Sequence, residues 1–251
     1  MSALLEVRNL NKHFGGLHAV KNVSFSLERG EIVGILGPNG AGKTTLYNLL
    51  TGFIAPDPGA SVVFEGHKLI GLAPHRIAAL GISRTFQLCR PFIGMTVLEN
   101  VVVGGLGSRG HDGPDLDARA QALLRQVGLA GKERVGVEVL SYGDQRRLEI
   151  ARALAARPSL LLLDEPFAGL GSGEIADLSA LIRQVHSEQG LTVILIEHKL
   201  REFMRLVGRV IALDFGEVIA EGSPEEIVRH PAVIEAYIGR DAVATESGHA
   251  A

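Results

Sequence analysis

Eight residues constrain the fold of this chain more than any other segment. Residues 37–44 read Gly-Pro-Asn-Gly-Ala-Gly-Lys-Thr and match the phosphate-loop pattern G-x-x-x-x-G-K-[ST] at every fixed position. The segment 31–36 before the match is largely apolar and predicts a buried strand, and the segment after it predicts a helix over Lys43–Leu50. This strand–loop–helix order predicts an α/β core in which backbone N–H groups and a helix N-terminus surround a phosphate.

The loop residues have separate predicted roles. Lys43 is predicted to span the β- and γ-phosphate oxygens of a nucleoside triphosphate, and the Thr44 hydroxyl to bind Mg²⁺. The alternative, a glycine-rich turn that matches by chance, is disfavoured because a strand and a helix flank the loop. The predicted nucleotide contacts of this segment are Gly37, Asn39, Gly40, Ala41, Gly42, Lys43, Thr44 and Thr45.

Two acidic residues follow a second apolar strand. The all-leucine run 160–163 predicts a strand, and Asp164 and Glu165 come directly after it. Ligands of open α/β sheets lie at the carboxyl ends of strands. Asp164 is therefore predicted to hold Mg²⁺, directly or through water, and Glu165 to polarise the water that attacks the γ-phosphate. The alternative is a solvated strand end, but two carboxylates favour hydrolysis over binding alone.

The remaining pattern divides the chain into an α/β part and a helical part. Strand signals at 191–196 and a hairpin over 209–213 and 217–220 alternate with helical stretches and favour a parallel sheet. Between the two apolar strands, 91–157 has helical character. It contains the capping box Thr96-x-x-Glu99, an apolar stripe from Leu116 to Val127 and a predicted helix over 144–156. A helical subdomain inserted into an α/β core is the expected organisation.

Composition disfavours several classes of protein. The 251 residues carry 25 basic and 28 acidic side chains, a net charge of −3, and 5% aromatics, which disfavour nucleic-acid binding. Cys89 is the single cysteine, so no internal disulfide can form. The apolar runs are far shorter than the roughly 20 residues of a membrane helix, and no leader peptide is recognisable at the start. We therefore expect a cytoplasmic protein.

Residues 140–145, Leu-Ser-Tyr-Gly-Asp-Gln, resemble the L-S-G-G-Q signature of ABC-transporter ATPases. Tyr142 and Asp144 depart from that pattern, whereas Ser141 and Gly143 retain it. The resemblance implies that Ser141 and Gly143 contact the γ-phosphate of an ATP held by the phosphate loop of a second subunit in a head-to-tail dimer. A hydroxyl, a glycine N–H and a helix N-terminus are suitable donors for an anion. Taken alone, Ser141-x-x-Asp144 also fits an ordinary capping box.

The same resemblance assigns three further residues to the ATP site. Phe14 is implied to stack on adenine, with a core phenylalanine as the alternative. Gln87 resembles the Q-loop glutamine, which senses Mg²⁺ and water and links to the membrane subunit. His198 resembles the switch histidine that contacts the γ-phosphate. One element departs from the family, because 168–171 read Ala-Gly-Leu-Gly and lack the D-loop aspartate.

The resemblance extends from Leu5 to about Gly239 and implies the fold. The implied fold is an α/β P-loop NTPase core, with a mostly parallel sheet, an antiparallel β subdomain and an inserted α-helical subdomain. One ABC ATPase domain would span 1–251. Within it, 1–90 and 158–240 would form the nucleotide-binding core with the β subdomain, 91–157 the helical subdomain with the signature, and 241–251 a flexible tail. ATP and Mg²⁺ are the implied cofactors.

Several stretches resemble one branch of the family, the ATPases of branched-chain amino-acid uptake. They are 14–20, 84–87, 95–100, 142–143 with 146–150, and 230–239. Urea and amide importers are similar, and lipopolysaccharide-export ATPases share Asp-Glu-Pro-Phe-Ala-Gly at 164–169. A soluble ABC ATPase of DNA repair or translation is disfavoured because the chain has one phosphate loop and no sustained heptads. Glu165 and His198 argue against a non-catalytic partner subunit, whereas Gly171, in place of the D-loop aspartate, keeps this alternative open.

The family resemblance also implies partners. They are a second ATPase subunit, in a homodimer or a heterodimer, and integral-membrane permease subunits. A periplasmic or extracellular solute-binding protein would act indirectly, and no nucleic acid is expected. Residues after Gln87, including Cys89, Arg90 and Phe92, are expected to form the groove that holds a permease helix. The protein would then be cytoplasmic and peripheral on the inner face of the cell membrane.

Overall fold

Two β-sheets and a group of helices make up the described part of the chain. The computed structural model describes residues 3–106 and 116–237, so the predicted tail at 241–251 lies outside the described residues. The strands are β1 (Leu5–Phe14), β2 (Leu17–Leu27), β3 (Ile32–Leu36), β4 (Ser61–Phe64), β5 (His67–Lys68), β6 (Ile82–Arg84), β7 (Leu160–Asp164), β8 (Thr192–Ile196), β9 (Arg209–Asp214) and β10 (Glu217–Gly222). The helices are α1 (Lys43–Leu50), α2 (Pro74–Ala79), α3 (Val97–Gly105), α4 (Leu116–Gln126), α5 (Tyr142–Ala155), α6 (Ser172–Gln189), α7 (Leu200–Leu206) and α8 (Pro224–Ile227). Residues 231–237 are also helical.

The larger sheet has the strand order β10-β9-β3-β8-β7-β6. Neighbouring strands from β9 to β6 run parallel, and β10 pairs with β9 in the antiparallel direction. β3, β7 and β8 are buried along their whole length, as expected for parallel strands covered on both faces. Their common direction brings their carboxyl ends to one edge of the sheet. This confirms the predicted α/β core with a mostly parallel sheet.

The two faces of this sheet belong to two apolar clusters. Leu161 and Leu163 of β7 pack in one cluster with residues of α3–α6. Leu160 and Leu162 point to the opposite face and pack in the other cluster, with α1 and the smaller sheet. The alternation follows from the two-residue period of a strand, which turns successive side chains to opposite faces.

The smaller sheet is antiparallel and has the order β2-β1-β4-β5. Val23, Phe25 and Leu27 of β2 are buried while Ser24 and Ser26 are exposed, so this part of the strand is buried on one face only. Its apolar face packs on α1. The sheet is the antiparallel β subdomain of the predicted fold.

Helices α3, α4 and α5 pack against one another and form the helical subdomain. Thr96 caps α3, because its hydroxyl accepts from Glu99 N while Glu99 Oε2 accepts from Thr96 N, as the predicted capping box requires. Helix α5 begins at Tyr142, two residues before the predicted start, because Ser141 is its N-cap. Within the described ranges, every helix is too short or too polar to cross a bilayer.

Candidate active site

The phosphate loop connects β3 to α1 at the carboxyl edge of the larger sheet. Gly40 and Gly42 have φ angles of +83° and +99°, a region in which a side chain is strained. A Cβ on Gly42 would lie 2.5 Å from Ala19 O, and a Cβ on Gly37 would lie 2.4 Å from Leu213 O. Neighbouring backbone would therefore exclude a side chain at Gly37 and Gly42.

Lys43 is the first residue of α1, and its side chain curls beneath the loop. Its Nζ donates to Gly37 O at 2.6 Å and to Pro38 O at 3.0 Å, and the residue is 7% exposed. Ala41 is buried and Thr45 half-buried, while Asn39, Gly40 and Thr44 are exposed. The loop therefore brings an amine, an exposed hydroxyl and the N-terminus of α1 together on one short segment.

Asp164 ends β7 as a buried carboxylate paired with Arg84. Arg84 Nη2 donates to Asp164 Oδ2 at 2.8 Å, and the two side chains are 6% and 4% exposed. Burial raises the pKa of Asp164, and the guanidinium opposes that shift. Arg84 Nη1 also donates to Asn48 Oδ1 of α1 at 2.6 Å, so one side chain joins β7 to the helix of the phosphate loop. Arg84 has no role in the sequence-based expectations.

Glu165, Gln87 and His198 come from three separate segments and meet in one cluster. Gln87 Nε2 donates to Glu165 Oε2 at 3.0 Å, and His198 Nε2 lies 2.9 Å from Glu165 Oε1. Both carboxylate oxygens are therefore engaged. Glu165 has a φ of +49°, which is strained for a residue with a side chain. The structure thus brings together three of the residues that the motifs single out.

Ser141, Gly143 and Phe14 have their contacts outside this cluster. Ser141 accepts from Asp144 N at 3.2 Å, and a Cβ on Gly143 would lie 2.4 Å from Glu174 Oε1 of α6. Ser141 and Gly143 also line a cavity of about 210 Å³ between α5 and α6. Phe14 is 45% exposed at the end of β1, which excludes the core-phenylalanine alternative.

Glu197 is a buried carboxylate that the sequence motifs leave without a role. It is 3% exposed and follows β8 directly. Its Oε1 accepts from Phe167 N at 2.6 Å, and its Oε2 accepts from His198 N at 2.9 Å and from Lys199 N at 3.1 Å. The signal in the sequence is a charged residue between an apolar strand and a candidate histidine. Its partners become visible only in the folded chain.

Arg146 and Glu149 of α5 form a second buried group without a predicted role. Arg146 donates to Gln87 O at 2.7 Å and to Phe86 O at 3.2 Å, and Glu149 Oε1 accepts from Phe86 N at 2.8 Å. The two side chains pair at 3.2 Å, and Arg146 also donates to the Tyr142 hydroxyl at 2.7 Å. The signature helix therefore holds the backbone of the segment that carries Gln87.

An apolar groove opens beside Gln87. Phe53, Phe86, Leu88 and Phe92 are exposed and line it together with Arg90, and its volume is about 860 Å³. We name these five residues the Q-loop groove. Cys89, which was expected to take part in the groove, is half-buried, and its Sγ donates to Glu149 Oε2.

Known proteins share both the sequence and the fold. A family model described as ABC transporter matches residues 20–168, and one described as Branched-chain amino acid ATP-binding cassette transporter matches residues 217–243. The high-affinity branched-chain amino acid transport ATP-binding protein LivG of Salmonella typhimurium is 43% identical over 251 residues, covering 94% of this chain and 98% of that protein. Its counterpart BraF of Pseudomonas aeruginosa is 40% identical, with coverage of 94% and 98%.

Solved structures agree with this relationship. The ADP conformation of MJ1267, an ATP-binding cassette of an ABC transporter, matches with a TM-score of 0.86 at 31% identity and covers 95% of this chain and 100% of that chain. The dimeric structure of MJ0796, a bacterial ABC transporter cassette, matches with a TM-score of 0.78 at 29% identity and coverage of 88% and 98%. The chain therefore belongs to the ABC transporter family, as one of the ATP-binding subunits that bind nucleotide and hydrolyse ATP.

Proposed function

We propose that this protein is the motor subunit of an importer of branched-chain amino acids. The solute assignment rests on the identity of 43% to LivG and on the family match at 217–243. The assignment of the hydrolytic centre is carried by one observation, the contact of Glu165 with both Gln87 and His198 at the sheet edge that bears the phosphate loop.

The phosphate loop and its neighbours fit ATP and Mg²⁺. Lys43 Nζ donates hydrogen bonds to two carbonyl groups of the loop. With nucleotide bound, it would turn to the β- and γ-phosphate oxygens. We assign the Thr44 hydroxyl, Asp164 Oδ1 and the Gln87 side-chain oxygen to the Mg²⁺ shell, because Mg²⁺ prefers oxygen ligands and Arg84 engages the other oxygen of Asp164. Bound Mg²⁺ would neutralise charge that develops on the phosphate oxygens. The exposed ring of Phe14 is assigned to the adenine base.

Glu165 is the residue we assign as general base. It would take a proton from the attacking water as the water oxygen bonds to the γ-phosphorus, while the bond from that phosphorus to the leaving ADP oxygen breaks. Gln87 and His198 each contact one oxygen of the Glu165 carboxylate and so fix the orientation of this group. His198 and Lys43 are assigned to charge stabilisation at the γ-phosphate.

A second subunit would complete each ATP site. Ser141 and Gly143 stand at the N-terminus of α5, where the hydroxyl and backbone N–H groups can donate to an anion. We assign them to the γ-phosphate of the ATP bound to the facing subunit, in a homodimer or in a heterodimer with a related ATPase. The dimeric structure of the MJ0796 cassette supports the pairing of two such subunits.

The Q-loop groove is the surface that we assign to a permease subunit. Its exposed aromatic and leucine side chains suit the apolar side of a short helix. Phe86 and Leu88 flank Gln87, so an occupant would lie one residue from a side chain that touches the general base. This contact would place the protein on the inner face of the membrane and couple hydrolysis to permease movement.

A transport experiment tests the solute assignment. The protein would be purified with its permease subunits, reconstituted in liposomes and supplied with solute-binding protein, and phosphate release would be recorded. We expect leucine, isoleucine or valine to stimulate ATP hydrolysis and uptake, and Glu165→Gln to abolish both. Stimulation by urea or an amide without any response to these amino acids would contradict the assignment. So would co-purification with nucleic acid instead of a permease.

A further inference from the structure

We propose that Glu197 is a positioning residue that holds Glu165 and His198 in contact. The inference deepens the proposed function, because it rests on Glu165 acting as the general base. It concerns how two loops that are separated in sequence keep a hydrogen-bonding distance of 2.9 Å between their side chains.

The carboxylate of Glu197 lies between these two loops. On one side its Oε1 accepts from Phe167 N at 2.6 Å, two residues beyond Glu165. On the other side its Oε2 accepts from His198 N at 2.9 Å and from Lys199 N at 3.1 Å. Only a group with acceptors on both sides can join these loops, because all three partners are N–H donors. The buried carboxylate of Glu197 meets that requirement.

The backbone at Glu165 needs such support. Its φ of +49° is strained, and a strained residue persists only when its surroundings hold it there. Glu165 N donates to Ile196 O at 2.9 Å, and Phe167, whose side chain is buried in the core, donates to Glu197. Both restraints come from the segment that leads into His198. The base and the histidine are thus fixed relative to one another through the backbone as well as through their side chains.

Lys199 provides a second contact between the same two loops. Its Nζ donates to Leu170 O at 2.9 Å. The segment 197–199 therefore holds the segment 167–170 at both ends. This loop includes the Ala-Gly-Leu-Gly segment that lacks the D-loop aspartate, and the contact joins it to the segment that carries His198. A shift of the histidine would carry the loop after Glu165 with it.

The test is Glu197→Gln, which keeps the size of the side chain but offers one acceptor oxygen instead of two. The kcat for ATP hydrolysis of the purified transporter should fall by about 10- to 100-fold, the scale expected when a catalytic group is misplaced by about 1 Å. The KM for ATP should stay within about twofold, because the phosphate loop is unchanged. In a His198→Ala background, Glu197→Gln should have little further effect, because the contact between Glu165 and His198 that Glu197 preserves is already lost.

Glu226→Gln is the matched control, because Glu226 Oε2 also accepts from a backbone N–H, that of Ser223, but at the start of α8. It should leave kcat unchanged. If Glu197→Gln is too unstable to assay, Lys199→Met removes the second link and should lower kcat by about fivefold, the value of one hydrogen bond, without a change in KM.

Three results would overturn the proposal. The first is an unchanged kcat in a folded Glu197→Gln variant. The second is an equal fall in kcat in the wild-type and His198→Ala backgrounds. The third is a loss of activity that comes from a higher KM for ATP and not from a lower kcat. Wild-type hydrolysis that Glu165→Gln abolishes would uphold the proposed function whatever Glu197 does. Failure of the two ideas can therefore be told apart.

Discussion

Gln87 and His198 each contact one carboxylate oxygen of Glu165, and the first prediction concerns this carboxylate. Glu165→Gln keeps the shape of the side chain but cannot accept a proton from water. The kcat should fall by about 10²- to 10⁴-fold, the usual contribution of a general base, while ATP binding is retained. Phosphate release and equilibrium binding of ATP measure the two quantities. Turnover at the wild-type rate would remove Glu165 from this role.

Cys89 illustrates how burial and a neighbouring charge suppress a reactive group. Burial and the Glu149 carboxylate raise the pKa of its thiol to about 12. At pH 8 its alkylation by iodoacetamide should therefore be about 10³-fold slower than that of an exposed thiol with an ordinary pKa. The rate should still rise about tenfold per pH unit between pH 8 and 10, because the thiol is far from ionised. A plateau below pH 10, with glutathione as the reference, would contradict the burial of this group.

Local sequence predicts some site residues and not others, for a physical reason. Gln87, Glu165 and His198 stand in short motifs with fixed spacing, so the chain order alone singles them out. Arg84, Glu197 and Arg146 act through partners up to 80 positions away, such as Asp164 for Arg84. No local pattern carries that information. The roles of Arg84 and Glu197 appear only when β6, β7 and β8 lie side by side, and that of Arg146 only when α5 packs against residues 86–87.

At the level of elements, the phosphate loop needs glycine for two reasons. The backbone has a positive φ, and neighbouring backbone leaves no room for a Cβ. In Gly42→Ala the new Cβ would meet Ala19 O, whereas in Gly59→Ala, at a φ of +97°, it would meet nothing within 4 Å. Both variants should lose about 1–3 kcal/mol of unfolding free energy from the strained φ. Only Gly42→Ala should also lose ATP affinity. Equal affinity in the two variants, by titration with ATP, would show that the close contact has no effect on the loop.

Helix α5 and the segment of Gln87 are joined by the Arg146–Glu149 pair. Burial raises the pKa of Glu149, and Arg146 opposes the shift. Arg146→Met removes the positive charge beside this carboxylate, which keeps Phe86 N and Cys89 Sγ as donors, and should lower the unfolding free energy by about 3–5 kcal/mol at neutral pH. Without Arg146 the folded-state pKa rises further, so the loss should shrink as the pH falls toward 4.5, the ordinary value for glutamate.

Denaturant titration measures this loss, and the double variant Arg146→Met with Glu149→Leu provides the control. The second substitution removes the stranded charge and should recover part of the stability. No recovery in the double variant would mean that Arg146 stabilises the fold through packing and its hydrogen bonds to Phe86 O and Gln87 O, and not through the charge of Glu149.

The sequence predicts well those elements that have a regular spacing of hydrophobic residues or a recognisable motif. α1 has the predicted bounds, and the capping box at Thr96 starts α3. β5, β6, α2 and α7 were not predicted, because segments of two to seven residues contain too little periodicity. β6 exists because its backbone pairs with β7, a long-range interaction that three residues cannot encode by themselves.

For the whole molecule, the proposed ATP site has two parts on one chain. Lys43 and Glu165 lie at the carboxyl edge of the larger sheet, while Ser141 and Gly143 stand at the N-terminus of α5 and line a cavity beside α6. Under the proposed assignment, a single subunit would supply two half-sites. Two copies, or this chain and a related subunit, would complete both when arranged head to tail.

The most direct measurement is the distance from Ser141 Oγ to the nearest γ-phosphate oxygen, in a cryo-EM structure of the complete Glu165→Gln transporter with ATP and Mg²⁺. The account predicts that this oxygen belongs to ATP on the phosphate loop of the facing subunit and lies at about 2.7–3.2 Å. ATP bound to both phosphate loops, with each Ser141 in solvent and beyond hydrogen-bonding distance of any γ-phosphate, would contradict it.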